Sequence, residues 1–139
     1  MRTRLPILLL PLLLSAFLPA GKTAGPRIVF TNEVHDYGTI AFGSDGRCSF
    51  TFNNTGDAPL IIANFQSSCG CLVPYWDREP VFPSASGKVR LLYDTRRVGP
   101  FRKSAMLTTN DPERPQIVLS IRGEVLPMDT TPEPGTNGR

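Results

Sequence analysis

Arg47-Cys48-Ser49-Phe50-Thr51-Phe52-Asn53 alternates polar and apolar side chains without a slip. Only an extended strand puts every second side chain on one face, so Cys48, Phe50 and Phe52 are expected to share a buried face. The same period returns in Lys88 to Asp94, with Val89, Leu91 and Tyr93 inward. It returns again in Gln116 to Val125, with Ile117, Leu119 and Ile121 on one face. Leu60 to Phe65 is a β-rich apolar run, and Arg102 to Thr109 reads as a strand ended by Asn110-Asp111-Pro112. Ile28-Val29-Phe30 and Tyr37 to Ile40 supply an opening strand broken near His35-Asp36. Asn54 to Pro59 is a turn cluster. No stretch of ten residues carries a 3.6-residue period, and 14 Pro with 12 Gly disfavour a helical bundle. Six or seven short strands separated by turns predict an all-β fold. The expected form is an immunoglobulin-like two-sheet antiparallel sandwich of about seven strands. The Cys…Trp…Cys spacing of antibody domains is not present.

The two ends of the chain read differently. Met1 to Arg4 is a short basic start, and Leu5 to Leu18 follows without a charge. As a helix that run spans about 21 Å, short of the roughly 30 Å hydrocarbon core. Pro6 and Pro11 also count against a membrane span. Leu18-Pro19-Ala20 then offers small-residue cleavage, so 1–20 is expected to be a signal peptide. No Cys follows the apolar run, so lipoprotein processing is not expected. Export to the periplasm or outside the cell follows, with no stable membrane span after cleavage. Without Arg2 and Arg4 the chain keeps 13 basic and 12 acidic residues. The balance of +1 is no argument for nucleic acid. Arg96-Arg97 and Arg102-Lys103 form the one basic cluster, expected as a solvated hairpin. Residues 127–139 carry Pro and Gly and one apolar side chain, Met128, and read as a disordered tail. One folded domain, 27–126, remains, too short for a second core.

Four blocks inside that domain carry a resemblance. They are His35-Asp36-Tyr37-Gly38-Thr39-Ile40, Phe50 through Leu60, Ser67-Ser68-Cys69-Gly70-Cys71, and Gly99-Pro100-Phe101-Arg102-Lys103. In that order they resemble the bacterial domain-of-unknown-function family 1573 (DUF 1573), over about residues 28 to 125. The family is typical of secreted proteins of the Bacteroidetes type. It is similar to the immunoglobulin-like ASPM/SPD-2/Hydin-type modules and to the major sperm protein fold. The resemblance implies fold and export, and no activity. Leu72 stands where the family commonly continues with Thr, and Cys48 where it has an ordinary core residue.

Few residues here bear chemistry. Cys69-Gly70-Cys71 is the sharpest feature, because Gly lets the backbone bring two sulfurs together. The pair reads as a disulfide, as two packing residues, or as thiolates for redox exchange or a soft ion such as Cu(I). A lone C-x-C lacks the second pair that makes zinc spacing convincing. If strands 47–53 and 60–66 run antiparallel around Gly56-Asp57, Cys48 stands level with Phe65. A Cys48–Cys69 or Cys48–Cys71 bridge is then topologically open in an oxidising compartment. Tyr75-Trp76 is the best aromatic contact surface, or else it covers a sandwich edge. His35-Asp36 lacks a nucleophile motif, and Asp77 and Glu79 read as an exposed loop.

The sequence therefore predicts an exported, non-catalytic interaction or envelope module with no cofactor and no metal. Its expected partner is a protein or another envelope component, met by the loop Ser67 to Asp77. The alternative is a small extracytoplasmic thiol protein, redox-active or Cu(I)-handling, that uses Cys69 and Cys71.

Overall fold

The computed structural model describes residues 25–128. The expected leader 1–20 and nearly all of the tail 127–139 lie outside them. Eight strands form in chain order. They are β1 (Ile28–Phe30), β2 (Val34–Ile40), β3 (Arg47–Asn54), β4 (Ile62–Ser67), β5 (Leu72–Trp76), β6 (Ser86–Tyr93), β7 (Gly99–Thr109) and β8 (Gln116–Val125). No helix occurs among the described residues. One sheet has the order β1-β3-β6-β5 and the other β2-β8-β7-β4.

Alternation decides which residues fill the space between the sheets. Cys48, Phe50 and Phe52 of β3 are buried, as are Val89, Leu91 and Tyr93 of β6. Leu107 and Ala105 of β7 and Ile117, Leu119 and Ile121 of β8 meet them from the other sheet. Tyr93 and Phe101 stack across the gap at 4.1 Å, and Phe101 in turn meets Tyr37 of β2 at 5.7 Å. Gly87 is required where β6 passes the Phe52 ring, because a Cβ there would enter that ring.

The opening strand is divided differently from the expectation. The chain stays extended through His35-Asp36 and breaks at Thr31-Asn32-Glu33 instead. That polar segment carries it from one sheet to the other without reversing it. β2 therefore lands parallel to β8, Val34 opposite Ser120, while every other strand pair is antiparallel. Dividing the opening strand and adding Leu72–Trp76 gives eight strands where about seven were expected.

The turn cluster after β3 does not close a hairpin. β3 pairs with β1 and β6, and β4 pairs with β7 in the other sheet. The Asn54 side chain, fully buried, is the cause. Its Oδ1 accepts from the Arg27 N–H at 3.1 Å and the Gly56 N–H at 3.0 Å. Its Nδ2 donates to the carbonyls of Ala58 at 2.8 Å and Val81 at 2.9 Å. One amide thus draws the chain over the end of the sandwich. Gly56 fits beneath Gly25 and Pro26, where a Cβ would meet backbone. Asp111 completes this end, its carboxylate accepting from the N–H groups of Ile28, Glu113 and Arg114.

Candidate functional site

β4 and β5 are the edge strands of opposite sheets, on the same side of the sandwich. Residues 68–71 cross between them, at the end of the molecule opposite Asn54. The crossing is anchored in both sheets. The Ser68 N–H donates to the Ser104 carbonyl at 3.0 Å, and the Asp94 N–H donates to the Cys71 carbonyl at 2.9 Å. Between these anchors Cys69 and Cys71 are bonded to each other, their Cα atoms 5.3 Å apart. The Ser67 hydroxyl donates to the Cys69 carbonyl at 2.7 Å. Cys71 is buried, Cys69 half-buried, and Gly70 projects into solvent.

A cleft of about 550 Å³ opens beside this bend, lined among others by Gly46, Arg47, Gly70, Cys71, Tyr93 and Arg96. Of its four charged lining residues Asp45, Arg47 and Asp94 are in ion pairs, and Arg96 forms none within the described residues. Arg47 pairs with Asp45 at 3.0 Å, and Arg97 with Asp94 at 3.6 Å. The Arg47 side chain and its backbone N–H hold the Asp45 carboxyl below the usual range. The Thr95 hydroxyl donates to the Ser44 carbonyl at 2.6 Å and ties the cleft rim together.

Cys48 lies apart from this bend. It is free and buried, level with Leu91 of β6 rather than with Phe65. The register that would bring it to Cys69 or Cys71 does not exist, because β3 and β4 belong to different sheets. Burial pushes the Cys48 thiol up, against the opposing hydrogen bonds of the Tyr37 hydroxyl and the Leu91 backbone. The Tyr37 hydroxyl, itself pushed up by burial and by Cys48, donates to the Gly46 carbonyl at 2.7 Å. Burial thus disfavours the Cys48 thiolate and shields the sulfur from solvent.

The expected loop Ser67 to Asp77 is only partly a loop, because Tyr75 and Trp76 stand on β5. Trp76 points between the sheets and meets Phe65 of β4 edge-on at 6.1 Å, filling the open side of the sandwich. The Arg78 guanidinium covers its ring at 5.1 Å. Tyr75 points the other way and is 49% exposed. The Cys71–Asp94 bond sets the ladder, so Leu72, Pro74 and Trp76 turn their backbone groups outward. Pro74 has no N–H to offer, which blunts this edge against pairing with another strand. β4 is blunted by a bulge between Ile62 and Asn64.

His35 and Asp36 are spoken for elsewhere. Asp36 accepts from Arg122 at 2.8 Å and from the Gly38 N–H at 2.8 Å. These two bonds, the backbone one first, hold its carboxyl low. His35 meets the edge of Tyr37 at 4.5 Å. Asp77 and Glu79 are exposed beyond β5. Among the described residues no three of His, Cys, Asp and Glu cluster as metal ligands.

One arrangement arises only from strand pairing and is not visible in the sequence. Arg47, Lys88 and Arg90 share the outer face of the β3-β6-β5 sheet. Strand parity already placed them outward, but their neighbourhood depends on which strands pair.

Comparison with known proteins agrees with this architecture. A family model described as "Protein of unknown function (DUF1573)" matches residues 28–125. A protein of unknown function from Porphyromonas gingivalis superposes with a TM-score of 0.66 at 19% identity. The match covers 78% of this chain and 51% of that one, so the chain spans about half of its length. The ASH/PapD-like domain 7 of human CEP192 gives a TM-score of 0.63 at 11% identity, over 89% of this chain and all of that domain. Part of the Vibrio cholerae VesB protease gives 0.55 at 14% identity, over 73% of this chain and 32% of that one. At these identities the likeness is one of fold. No curated protein matches.

Proposed function

The chain belongs to the DUF1573 family, and on that premise we propose that it is an exported, non-catalytic interaction module of the cell envelope. It meets a protein or another envelope component through the side made by Ser67 to Asp77. The observation that carries this is how the family's sequence blocks are used. Tyr37 is spent under Phe101, Asn54 and Gly56 at the far end, and Phe101 in the core. Two bends in these blocks reach solvent: Thr55 to Pro59 is tied down to Gly25, Arg27 and the Asn54 amide, whereas Ser67 to Cys71 borders the open cleft with Gly70 at its tip. A bonded Cys69–Cys71 pair suits an oxidising compartment, which supports export. The candidate leader supports it as well. Among the described residues no helix is long and apolar enough to cross a membrane.

Export is tested by N-terminal sequencing of protein from the native envelope. A start near Gly21 is expected, and an intact Met1 overturns it. Contact is tested by capture from envelope extract. Tyr75→Ala should lose what the parent retains, and equal capture by both overturns the assignment of this side.

One observation favours a second reading. The half-buried Cys69 sulfur, next to solvent-exposed Gly70, is the place where a thiol partner would attack. Thiol titration separates the readings. The interaction module shows one slow thiol, Cys48, until strong reductant is added. A thiol protein exchanges readily with a dithiol, or takes up Cu(I) once reduced.

A further inference from the structure

The two broad outer faces of the sandwich carry different charge. On the β2-β8-β7-β4 face the outward cations Arg102 and Arg122 share the surface with the carboxylates Asp36 and Glu124, Asp36 bonding Arg122 at 2.8 Å, and Met106 stands opposite Val118 as an apolar pair. On the β1-β3-β6-β5 face the outward strand residues include Arg47, Lys88 and Arg90 and no carboxylate. Lys88 and Arg90 form no ion pair within the described residues. Asp77 follows β5 on the same parity and does not pair with Lys88.

Register arranges these cations into rows. Ser49, Arg90 and Tyr75 lie side by side across β3, β6 and β5. The neighbouring rows are Thr51 beside Lys88, and Arg47 beside Leu92 and Val73. Facing side chains in such rows sit about 5 Å apart, and rows on one face about 7 Å apart. A shallow depression of about 480 Å³ lies here, with Arg47, Ser49, Tyr75 and Arg90 in its lining.

We propose that this face binds an anionic glycan, a chain bearing carboxylate or sulfate groups. The proposal rests on the interaction-module reading and names its partner chemistry. Two unpaired cations with no carboxylate between them call for repeated negative charge on the ligand. The half-exposed Tyr75 ring beside Arg90 gives an apolar plate for the C–H face of a sugar. Ser49 and Thr51 supply hydroxyls for sugar hydroxyls. An acidic peptide is matched less well. The rows lie on the face of a sheet, so no backbone groups are free to hold an extended chain, and the neighbouring β5 edge is interrupted by Pro74.

The test is equilibrium binding of the mature chain to four probes at low and moderate salt. They are a galacturonate hexasaccharide, a heparin-derived hexasaccharide, neutral cellohexaose and polyglutamate. Binding of one or both anionic hexasaccharides, with cellohexaose silent, is expected, and which one binds identifies the acid group. Arg90→Gln and Tyr75→Ala should each weaken it about tenfold. Arg122→Gln on the other face should leave it unchanged, and melting curves confirm that each variant is folded. Three results overturn the proposal: no binding to either anionic sugar, polyglutamate binding as tight and indifferent to Tyr75→Ala, or sugar binding that survives Arg90→Gln. A parent that captures an envelope partner yet binds no sugar refutes the glycan alone. A parent that captures nothing refutes the module.

Discussion

At one end of the sandwich Asn54 and Asp111 sit fully buried and hold seven backbone groups from four segments of chain. At the other end the chain crosses between sheets through Ser68 to Cys71, closed by a disulfide and flanked by an open cleft. At the first end the buried amide and carboxylate are spent on backbone groups. The second keeps Gly70, Tyr75 and the cleft rim available. Local stability and exposure are thus divided between the ends. Elements used for binding are commonly drawn from the less stable part of a fold.

That contrast can be broken most severely at Asn54. Asn54→Ala leaves two N–H groups and two carbonyls without their partner, and should cost about 3–5 kcal/mol in denaturant unfolding. A cost under about 1 kcal/mol would remove the contrast between the ends.

Asp111 sharpens it through pH. Burial opposes ionisation of its carboxyl, but the three backbone N–H bonds outweigh that and hold it low. A lowered native value means the contribution is fully present above the ordinary carboxylate range. It is lost as pH falls from about 4 through the native value. Thermal melts should therefore drop more steeply below about pH 4 in the parent than in Asp111→Asn. At neutral pH that variant should already have lost about 1–3 kcal/mol. Parallel pH profiles would show that Asp111 is not the group involved.

The disulfide end should respond less. Bonding Cys69 to Cys71 closes a ring of only three residues, so the loss in Cys69→Ala/Cys71→Ala is about 1.5 kcal/mol. Reductant should bring the parent to the same stability. Cys48→Ser is smaller again, about 1 kcal/mol, because the Tyr37 hydroxyl gives the new group a partner. Its cost should be the same with and without reductant. A cost that vanishes on reduction would mean that Cys48 bridges after all.

Much of this was legible because period-two alternation states burial directly. Val89, Leu91 and Tyr93 are buried in the order their sequence implies. What alternation does not state is which strands pair. Asn54 to Pro59 has the composition of a hairpin turn, yet a single buried amide sends the chain to the other sheet. Every neighbour of Cys48 inferred from a hairpin was therefore displaced. β5 escaped notice because Leu72-Val73-Pro74-Tyr75-Trp76 has no polar residue to mark alternation, and its Pro reads as loop. The Arg90 row was hidden for the same reason, since strand pairing alone brings Tyr75 beside Arg90.

The central claim is that the β4–β5 side works by contact and not by sulfur chemistry. The direct measurement is capture from native envelope extract by three folded proteins: the parent, Cys69→Ala/Cys71→Ala and Tyr75→Ala. The account predicts the same retained material for the first two and its loss in the third. Loss in the double cysteine variant, with its fold intact and Tyr75→Ala unaffected, would contradict the account and make the sulfurs the working part.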